Sequence, residues 1–176
     1  MRQTSRALLV GRFQPIHNGH ISVIKQILAE NDEIVIAVGS AQLSHTLENP
    51  LTAGERVYLI QKALSYEGID LKRAFIITVP DIQFNSVWPT HVKSYAPPFD
   101  TVYTDNSLVA TLFTEAGIRV KHPELYMREK CSGTNIRRLL LSDNSEWKKY
   151  VPNSVVTSLQ ELGIQQRLKS INRKLD

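Results

Sequence analysis

Cysteine is almost absent from this sequence, since Cys131 is the only one in 176 residues. A single cysteine excludes an internal disulfide and a zinc site built on several cysteines, and it agrees with a reducing environment. Reactive thiols need partners that lower their pKa, and no redox or zinc-like spacing surrounds this residue. We therefore expect Cys131 to be a small packed side chain rather than a catalytic thiol.

Long apolar runs and a strong charge of one sign are also missing. No run approaches the ~20 apolar residues of a membrane-spanning helix, and segment 1–6 lacks the length and cleavage site of a signal peptide. The 21 Lys and Arg against 17 Asp and Glu give a net charge of +4, which suits anionic small molecules better than nucleic acid. We expect one cytoplasmic domain, residues 1–176, with no membrane or nucleic-acid partner.

Apolar periodicity indicates the fold class. Short, β-branched runs bounded by turn residues predict five strands, at 7–10, 33–38, 74–79, 100–103 and 118–121. Helical patterns separate them, at 19–30, 53–66, 87–95 and 107–115. The alternation predicts an α/β, Rossmann-like, doubly wound parallel sheet with helices on both faces.

The C-terminal part predicts a helical segment outside that alternation. A helix is expected near 153–162, followed by the basic stretch 167–174. We interpret this end as a packed helix with a solvated tip, and a nucleic-acid tail is the less favoured alternative.

The most informative segment is the turn after the first predicted strand, which reads Gly11-Arg12-Phe13-Gln14-Pro15-Ile16-His17-Asn18-Gly19-His20. A helix N-terminus offers free N–H groups and a positive dipole end, and glycine permits close approach of a ligand. His17 and His20 are three residues apart, so both imidazoles can share one face of the first helical turn. The pattern predicts an anion site suited to a triphosphate, and it outweighs the alternative that each histidine only caps or packs locally.

Polar segments follow the next three predicted strands. They are Gly39-Ser40-Ala41-Gln42, residues 80–85, and Thr104-Asp105-Asn106. Ligands of such sheets bind at the carboxyl ends of the strands, beside the point where strand order reverses. We expect these segments to gather there with the histidine turn.

Two helix starts carry further signals. Thr52-Ala53-Gly54-Glu55 is a capping box. Arg56 in the same turn opposes the helix dipole, so it is either a solvated surface cation or placed for another reason. Segment 132–138 opens a later helix, where Thr134 and Arg137 share a face and form either a second anion site or a plain capped start.

Together, H-x-G-H and the late S-x-T-x-x-R segment resemble the H-x-G-H nucleotidyltransferase superfamily, over most of the chain. The closest similarity is to the archaeal nicotinamide-nucleotide adenylyltransferases. Its motifs are Gly11-Arg12-Phe13-Gln14-Pro15, Gly39-Ser40-Ala41-Gln42, Thr52-Ala53-Gly54-Glu55-Arg56, Asp81-Ile82, Trp88 and Pro97-Pro98-Phe99-Asp100.

The resemblance implies a single nucleotidyltransferase domain that transfers AMP from ATP to nicotinamide mononucleotide (NMN), giving NAD and pyrophosphate. The acceptor phosphate attacks directly, without a covalent intermediate. Mg²⁺ accompanies ATP, no protein side chain is named as its ligand, and a homo-oligomer such as a hexamer is expected.

The resemblance also implies roles for particular residues. The catalytic ones are Arg12, His17, His20 and Arg137. The ATP site comprises Gly11, Arg12, Phe13, His17, Gly19, His20, Asn106, Ser132, Gly133, Thr134 and Arg137. The NMN site comprises Gly39, Ser40, Asp81, Ile82, Asn85 and Trp88, whose indole face suits a cationic pyridine ring unless it is a core residue.

One residue departs from the family pattern. Glu48 stands where the archaeal enzymes usually have a basic residue, and a carboxylate repels a triphosphate. Either Glu48 turns away or another cation, such as Arg56, covers the site. Two rival functions stay open: the same fold acting on FMN or phosphopantetheine, and a regulator that senses nucleotides without turnover.

Overall fold

The computed structural model describes residues 4–173. Residues 1–3 of the N-terminal segment and Lys174 of the basic stretch lie outside the described residues. Within these bounds five strands form one sheet: Arg6–Gly11 (β1), Glu33–Val38 (β2), Ala74–Thr78 (β3), Thr101–Tyr103 (β4) and Arg119–Lys121 (β5). All neighbouring pairs are parallel, in the order β3-β2-β1-β4-β5. The predicted five-stranded parallel sheet is confirmed.

The α-helices of the described residues connect the strands and then extend beyond the sheet. They are Asn18–Glu30 (α1), Ala53–Tyr66 (α2), Trp88–Tyr95 (α3), Ser107–Glu115 (α4), Gly133–Leu141 (α5), Asn153–Glu161 (α6) and Ile164–Asn172 (α7). Short 3₁₀ turns occupy Leu71–Arg73, Asn85–Val87 and Ser145–Tyr150. None of the helices within residues 4–173 is long and apolar enough to cross a membrane.

Alternation along the central strands creates two apolar layers. Ala7 and Leu9 of β1 pack into a cluster with α1, α2 and the C-terminal helices. Leu8, between them, faces a second cluster that includes Val92 of α3 and Phe113 of α4. Because strand side chains point alternately to opposite faces, both faces of the sheet are covered by helices.

Strand order reverses at β1, which lies between β2 and β4. The loops after β1 and β4 leave the same edge of the sheet in opposite directions, which opens a crevice between them. The sheet therefore places the histidine turn beside segment 104–106, as the sequence predicted.

The predicted C-terminal helical segment is confirmed, and it contains two helices. The helix expected near 153–162 ends at Glu161, and Gly163 in the left-handed region (φ 62°) separates it from a further helix, α7. Ile164 and Leu168 of α7 are buried in the first cluster. Burial of these two positions makes the start of the basic stretch a packed helix.

Candidate active site

The site lies at the carboxyl ends of β1 and β4. A cavity of about 220 Å³ opens there beside the first turn of α1. Its lining includes His17, Gly19, His20, Thr104, Asp105, Asn106, Leu125, Tyr126, Arg128 and Cys131. The buried Cys131 is a packed side chain of this wall, as expected.

His17 and His20 form a reciprocal cap on α1. His17 is the N-cap residue, and its Nδ1 accepts from the His20 backbone N–H at 3.3 Å. The His20 Nδ1 accepts from the His17 backbone N–H at 3.3 Å, and the two rings stack with centroids 3.6 Å apart. A neutral imidazole that accepts at Nδ1 carries its proton on Nε2, so each ring retains an Nε2–H donor.

Burial keeps both imidazoles neutral at pH 7. It lowers the pKa of His17 from 6.5 to about 4. Burial and then the charge of His17 lower the pKa of His20 well below its ordinary value. The pair therefore supplies neutral Nε2–H donors to the cavity wall. The histidines can cap the helix and form part of a ligand site at the same time.

We expect the stability of the protein to fall as the pH drops from 6.5 toward 4. In this range the unfolded His17 binds a proton that the folded residue, with its pKa of about 4, does not bind. The contribution is fully present above pH 6.5 and amounts to roughly 3 kcal/mol at most. Urea unfolding at pH 7.5 and pH 4.5 measures the loss.

The control for this experiment is His17→Asn, which keeps an N-cap acceptor but removes the titrating ring. The variant should lose less unfolding free energy on acidification than the wild type. Equal losses in the two proteins would show that His17 does not titrate abnormally in the folded state.

The glycines of the two helix starts serve packing. A Cβ at Gly19 would lie 3.0 Å from His17 Nδ1, and one at Gly133 would lie 3.0 Å from the Gln14 carbonyl oxygen. At Gly11 the Phe13 ring occupies that place, also at 3.0 Å. Protein atoms therefore occupy the place of a side chain at Gly11, Gly19 and Gly133, and Gly19 also lines the cavity.

Phe13 packs against His20. Its side chain is buried, its backbone has a positive φ of 51°, and its ring centroid lies 4.6 Å from that of His20. The ring contacts His20 rather than the open cavity, so any contact of Phe13 with a ligand comes from its backbone.

The second helix start is capped and closely tied to the first loop. The Ser132 hydroxyl accepts from the Asn135 N–H at 3.2 Å, and the Arg137 Nη2 lies 3.4 Å from the Thr134 hydroxyl. The Arg137 Nη1 and Nε donate to the carbonyls of Gln14 and Leu47 at 2.9 and 3.0 Å. Two of the three guanidinium nitrogens are used inside the protein, so Nη2 is the one left to contact a phosphate.

Arg56 is neither a surface cation nor a cover for phosphates. Its side chain is fully buried, and it donates to the carbonyls of Arg12, Gly39, Ser40 and Thr52. Sequence periodicity missed this role because carbonyl acceptors leave no side-chain signal. The adjacent capping box is confirmed, with both of its hydrogen bonds formed.

Glu48 lines a groove with the exposed Arg12 and Thr134 and with the buried Arg137. Burial, followed by the charge of Arg12, lowers the pKa of Arg137, and the charge of Glu48 raises it. The carboxylate therefore acts electrostatically on the second helix start, and the expectation that Arg56 offsets it there is wrong.

The chain is similar to known proteins over most of its length. Residues 8–139 match the cytidylyltransferase-like family. The chain is 52% identical to the nicotinamide-nucleotide adenylyltransferase of Ignicoccus hospitalis, over 96% of this chain and 99% of that one. It is 50% identical to the enzyme of the same name from Archaeoglobus fulgidus, over 95% and 97%. The chain belongs to the nicotinamide-nucleotide adenylyltransferases.

Solved structures show the same fold at low identity. A bifunctional NMN adenylyltransferase/ADP ribose pyrophosphatase from Francisella tularensis superposes with a TM-score of 0.76 at 18% identity. The match covers 98% of this adenylyltransferase and 54% of that chain. A structure of that bifunctional protein with AMP and a manganese ion gives a TM-score of 0.74 at 20% identity.

The loops after β2 and β3 form a second polar surface of this adenylyltransferase. The Gln42 amide and Asp81 bond reciprocally, through the Asp81 carboxylate at 3.1 Å and its backbone N–H at 3.0 Å. Gly39 donates to the Gly11 carbonyl at 2.9 Å, and its own carbonyl accepts from Arg56 at 2.7 Å. The N–H and the carbonyl of Gly39 are both hydrogen-bonded within the protein. Of Gly39 and Ser40, Ser40 is therefore the accessible residue.

Trp88 begins α3 and is half-buried against the second core cluster. Its ring centroid lies 5.7 Å from that of His91, which bonds the Pro80 carbonyl at 2.8 Å. Ile82 is half-buried and Asn85 is exposed in the preceding loop. The indole has a core contact and an exposed part, and the loop after β3 carries Asp81, Ile82 and Asn85 beside it.

Sequence reasoning missed the adenylyltransferase loop between β5 and α5. Its residues Pro123, Leu125, Tyr126 and Arg128 line the same cavity as the histidines. Arg128 pairs with Asp105 at 2.8 Å, which ties this loop to the segment after β4. An aromatic residue and an arginine in a non-periodic segment were the available signal. Asn106 lines the same cavity, and its side chain caps α4.

Proposed function

We propose that this enzyme transfers AMP from ATP to NMN, forming NAD and pyrophosphate in NAD biosynthesis. The observation that carries the proposal is the pair of neutral Nε2–H donors of His17 and His20, beside a second helix start bearing Thr134 and Arg137. The names of relatives at 46–52% identity support the substrate class.

ATP would span the two helix starts. Its adenosine would occupy the 220 Å³ cavity beside Thr104 and Asn106, and its α-phosphate would lie at the histidines. The outer phosphates would lie at the N-terminus of α5, where Ser132 and Thr134 contribute hydroxyls and the dipole is positive. The Arg137 bond to the Gln14 carbonyl keeps the two helix starts adjacent.

The reaction would be one in-line displacement. A phosphate oxygen of NMN attacks the α-phosphorus, and the bond to the bridging oxygen of the β-phosphate breaks, so pyrophosphate leaves with the electron pair. His17 and His20 would donate Nε2–H bonds to the charge that develops at the α-phosphate and leaving group. Arg12 and the Nη2 side of Arg137 would add positive charge, and no covalent enzyme intermediate is required.

Magnesium fits this site as a companion of the nucleotide. Within residues 4–173 no group of three or more His, Cys, Asp or Glu is placed to hold a metal ion. The donors of the two helix starts are N–H groups, hydroxyls and guanidinium groups, which match phosphate rather than metal. Mg²⁺ would bind phosphate oxygens and waters and neutralise their charge.

NMN would bind at the loops after β2 and β3. Its phosphate would approach Ser40, and the ribose or carboxamide would meet Asp81 and Asn85 beside Ile82. The exposed part of the Trp88 indole would stack on the cationic pyridine ring. Helices α5–α7 share the first core cluster with the strands, which supports one nucleotidyltransferase domain.

We expect Trp88→Ala to raise the KM for NMN and to change the KM for ATP little. Stacking holds the ring similarly in ground and transition states, so its loss acts mainly on binding. A contact of this kind contributes roughly 0.5–2 kcal/mol, so the KM should rise up to about thirtyfold. Steady-state kinetics with each substrate varied in turn measure the two KM values.

The matched variant is Trp88→Phe, which keeps an aromatic face. It should lie between the wild type and Trp88→Ala in KM for NMN. An unchanged KM in a folded Trp88→Ala protein would make Trp88 a core residue only.

An acceptor panel tests the function. The protein is incubated with ATP, magnesium and NMN, nicotinic acid mononucleotide, FMN or phosphopantetheine, and pyrophosphate is measured. Pyrophosphate release and NAD formation with NMN support the proposal. Turnover confined to FMN or phosphopantetheine would contradict it, and nucleotide binding without turnover would favour a regulator.

A further inference from the structure

Arg56 is a buried cation in the first turn of α2, where the helix dipole opposes a positive charge. Within residues 4–173 its hydrogen bonds go to backbone carbonyls, and no carboxylate lies within ion-pair distance. Burial lowers its pKa most, Asp81 raises it, and Arg12 lowers it. A buried cation is costly unless its donors are satisfied, so these carbonyls determine its position.

The carbonyls belong to separate parts of the chain. Nη1 donates to Arg12 at 3.0 Å, in the loop after β1, and to Gly39 at 2.7 Å, after β2. Nη2 donates to Ser40 at 3.1 Å, and Nε donates to the Thr52 carbonyl at 3.3 Å. One planar guanidinium thus joins two loops and anchors both to the start of α2.

The two joined loops are the ones that the proposed function gives to different substrates. Arg12 belongs to the ATP side, and Ser40 belongs to the NMN side. In-line displacement needs the attacking oxygen and the α-phosphorus held at near-contact distance, so the relative position of these loops sets the reaction geometry. Phe13 and Ser40 both have positive φ, of 51° and 49°, a conformation that surrounding contacts must hold.

We infer that Arg56 is a positioning residue that holds the loop after β1 and the loop after β2 in one relative arrangement, so that both substrates bind in register. This inference rests on the proposed function. Lysine cannot replace the arginine, because an ammonium group is a point donor and cannot span carbonyls of three segments as a planar guanidinium does.

Arg73 provides the matched control. Its guanidinium also donates to backbone carbonyls, those of Leu28, Asn31 and Asp32, at 2.7–2.8 Å. It precedes β3 and joins the C-terminal end of α1, at the end of the sheet opposite the site. Arg73→Lys should therefore lower stability without touching either substrate loop.

The test compares Arg56→Lys, Arg56→Gln and Arg73→Lys with the wild type by thermal unfolding and steady-state kinetics. Each Arg56 variant should lower kcat and should raise the KM for ATP and the KM for NMN together, each by roughly tenfold, the effect of one charge-assisted hydrogen bond. Arg73→Lys should keep both KM values. Wild-type KM values in a folded Arg56→Lys protein would overturn the inference.

Hydrogen exchange separates this inference from the proposed function. Residues 11–16 and 39–42 should exchange faster in Arg56→Lys and at the wild-type rate in Arg73→Lys, whatever the acceptor. Inactivity of the wild type with NMN would contradict the function alone, and unchanged exchange would contradict the positioning role alone.

If neither Arg56 variant folds, hydrogen exchange in the wild-type protein tests the positioning role instead. NMN alone should then protect residues 11–16, and a non-hydrolysable ATP analogue alone should protect residues 39–42. Protection limited to each ligand's own loop would overturn the inference.

Discussion

Replacing His20 by glutamine is expected to lower kcat by about two to three orders of magnitude, the usual cost of losing one preorganised donor to a charged transition state. The substitution is sharper than alanine, because glutamine at this helix position can still accept from the His17 backbone N–H, as the His20 Nδ1 does at 3.3 Å. It replaces the rigid ring Nε2–H donor with a carboxamide N–H on a flexible side chain, so the preorganised donor of the imidazole is lost. The melting temperature should change little.

His45→Gln is the control for His20→Gln. His45 is an exposed histidine on a neighbouring loop, and its Nδ1 contacts the Ser44 hydroxyl at 3.0 Å. This variant should keep the wild-type kcat. Normal turnover in His20→Gln, or inactivity explained by unfolding, would remove His20 from the chemistry.

Arg137→Lys is expected to lower kcat/KM for ATP by about ten- to a hundred-fold, which corresponds to losing a charge-assisted contact of roughly 1.5–3 kcal/mol. The melting temperature should fall as well. Arg137 donates to the carbonyls of Gln14 and Leu47, and a lysine ammonium cannot serve both while facing Thr134. Kinetics at sub-saturating ATP, with thermal unfolding alongside, measure both effects.

Arg138→Lys is the neighbouring control on the same helix. Arg138 is exposed and donates to the Asn135 side chain at 2.7 Å, so its replacement should leave both quantities nearly unchanged. If Arg137→Lys and Arg137→Ala keep full efficiency toward ATP, the segment Ser132–Arg137 is only a capped helix. The outer phosphates of ATP would then bind elsewhere.

Local patterns in the sequence predicted most of the framework. Alternating apolar runs determined the strands and their two buried faces, and the Thr52–Glu55 capping box formed with its predicted partners. The motif His17-Asn18-Gly19-His20 was correctly placed at a helix start after β1. These features depend on residues a few positions apart, so they can be predicted from the sequence alone.

Tertiary structure decided the protonation state of the histidines in the site. Sequence spacing brought His17 and His20 together, but only burial against the surrounding loops lowers their pKa and makes them neutral donors. Tertiary contacts likewise stabilise α7, which the sequence did not separate from the preceding helix, because Leu168 packs in the core and Arg167 pairs with Glu55.

Two arginines show most clearly what the sequence could not predict. Arg56 reaches carbonyls 17 and 44 positions away, and Arg137 reaches carbonyls 90 and 123 positions away. Backbone carbonyls are chemically alike in all residues. No pattern of side chains therefore predicts which carbonyls will accept a hydrogen bond from a guanidinium. The sequence by itself determined which elements form and which edge of the sheet carries the polar loops, and the packing of distant segments decided which cations face a ligand and which hold the loops in place.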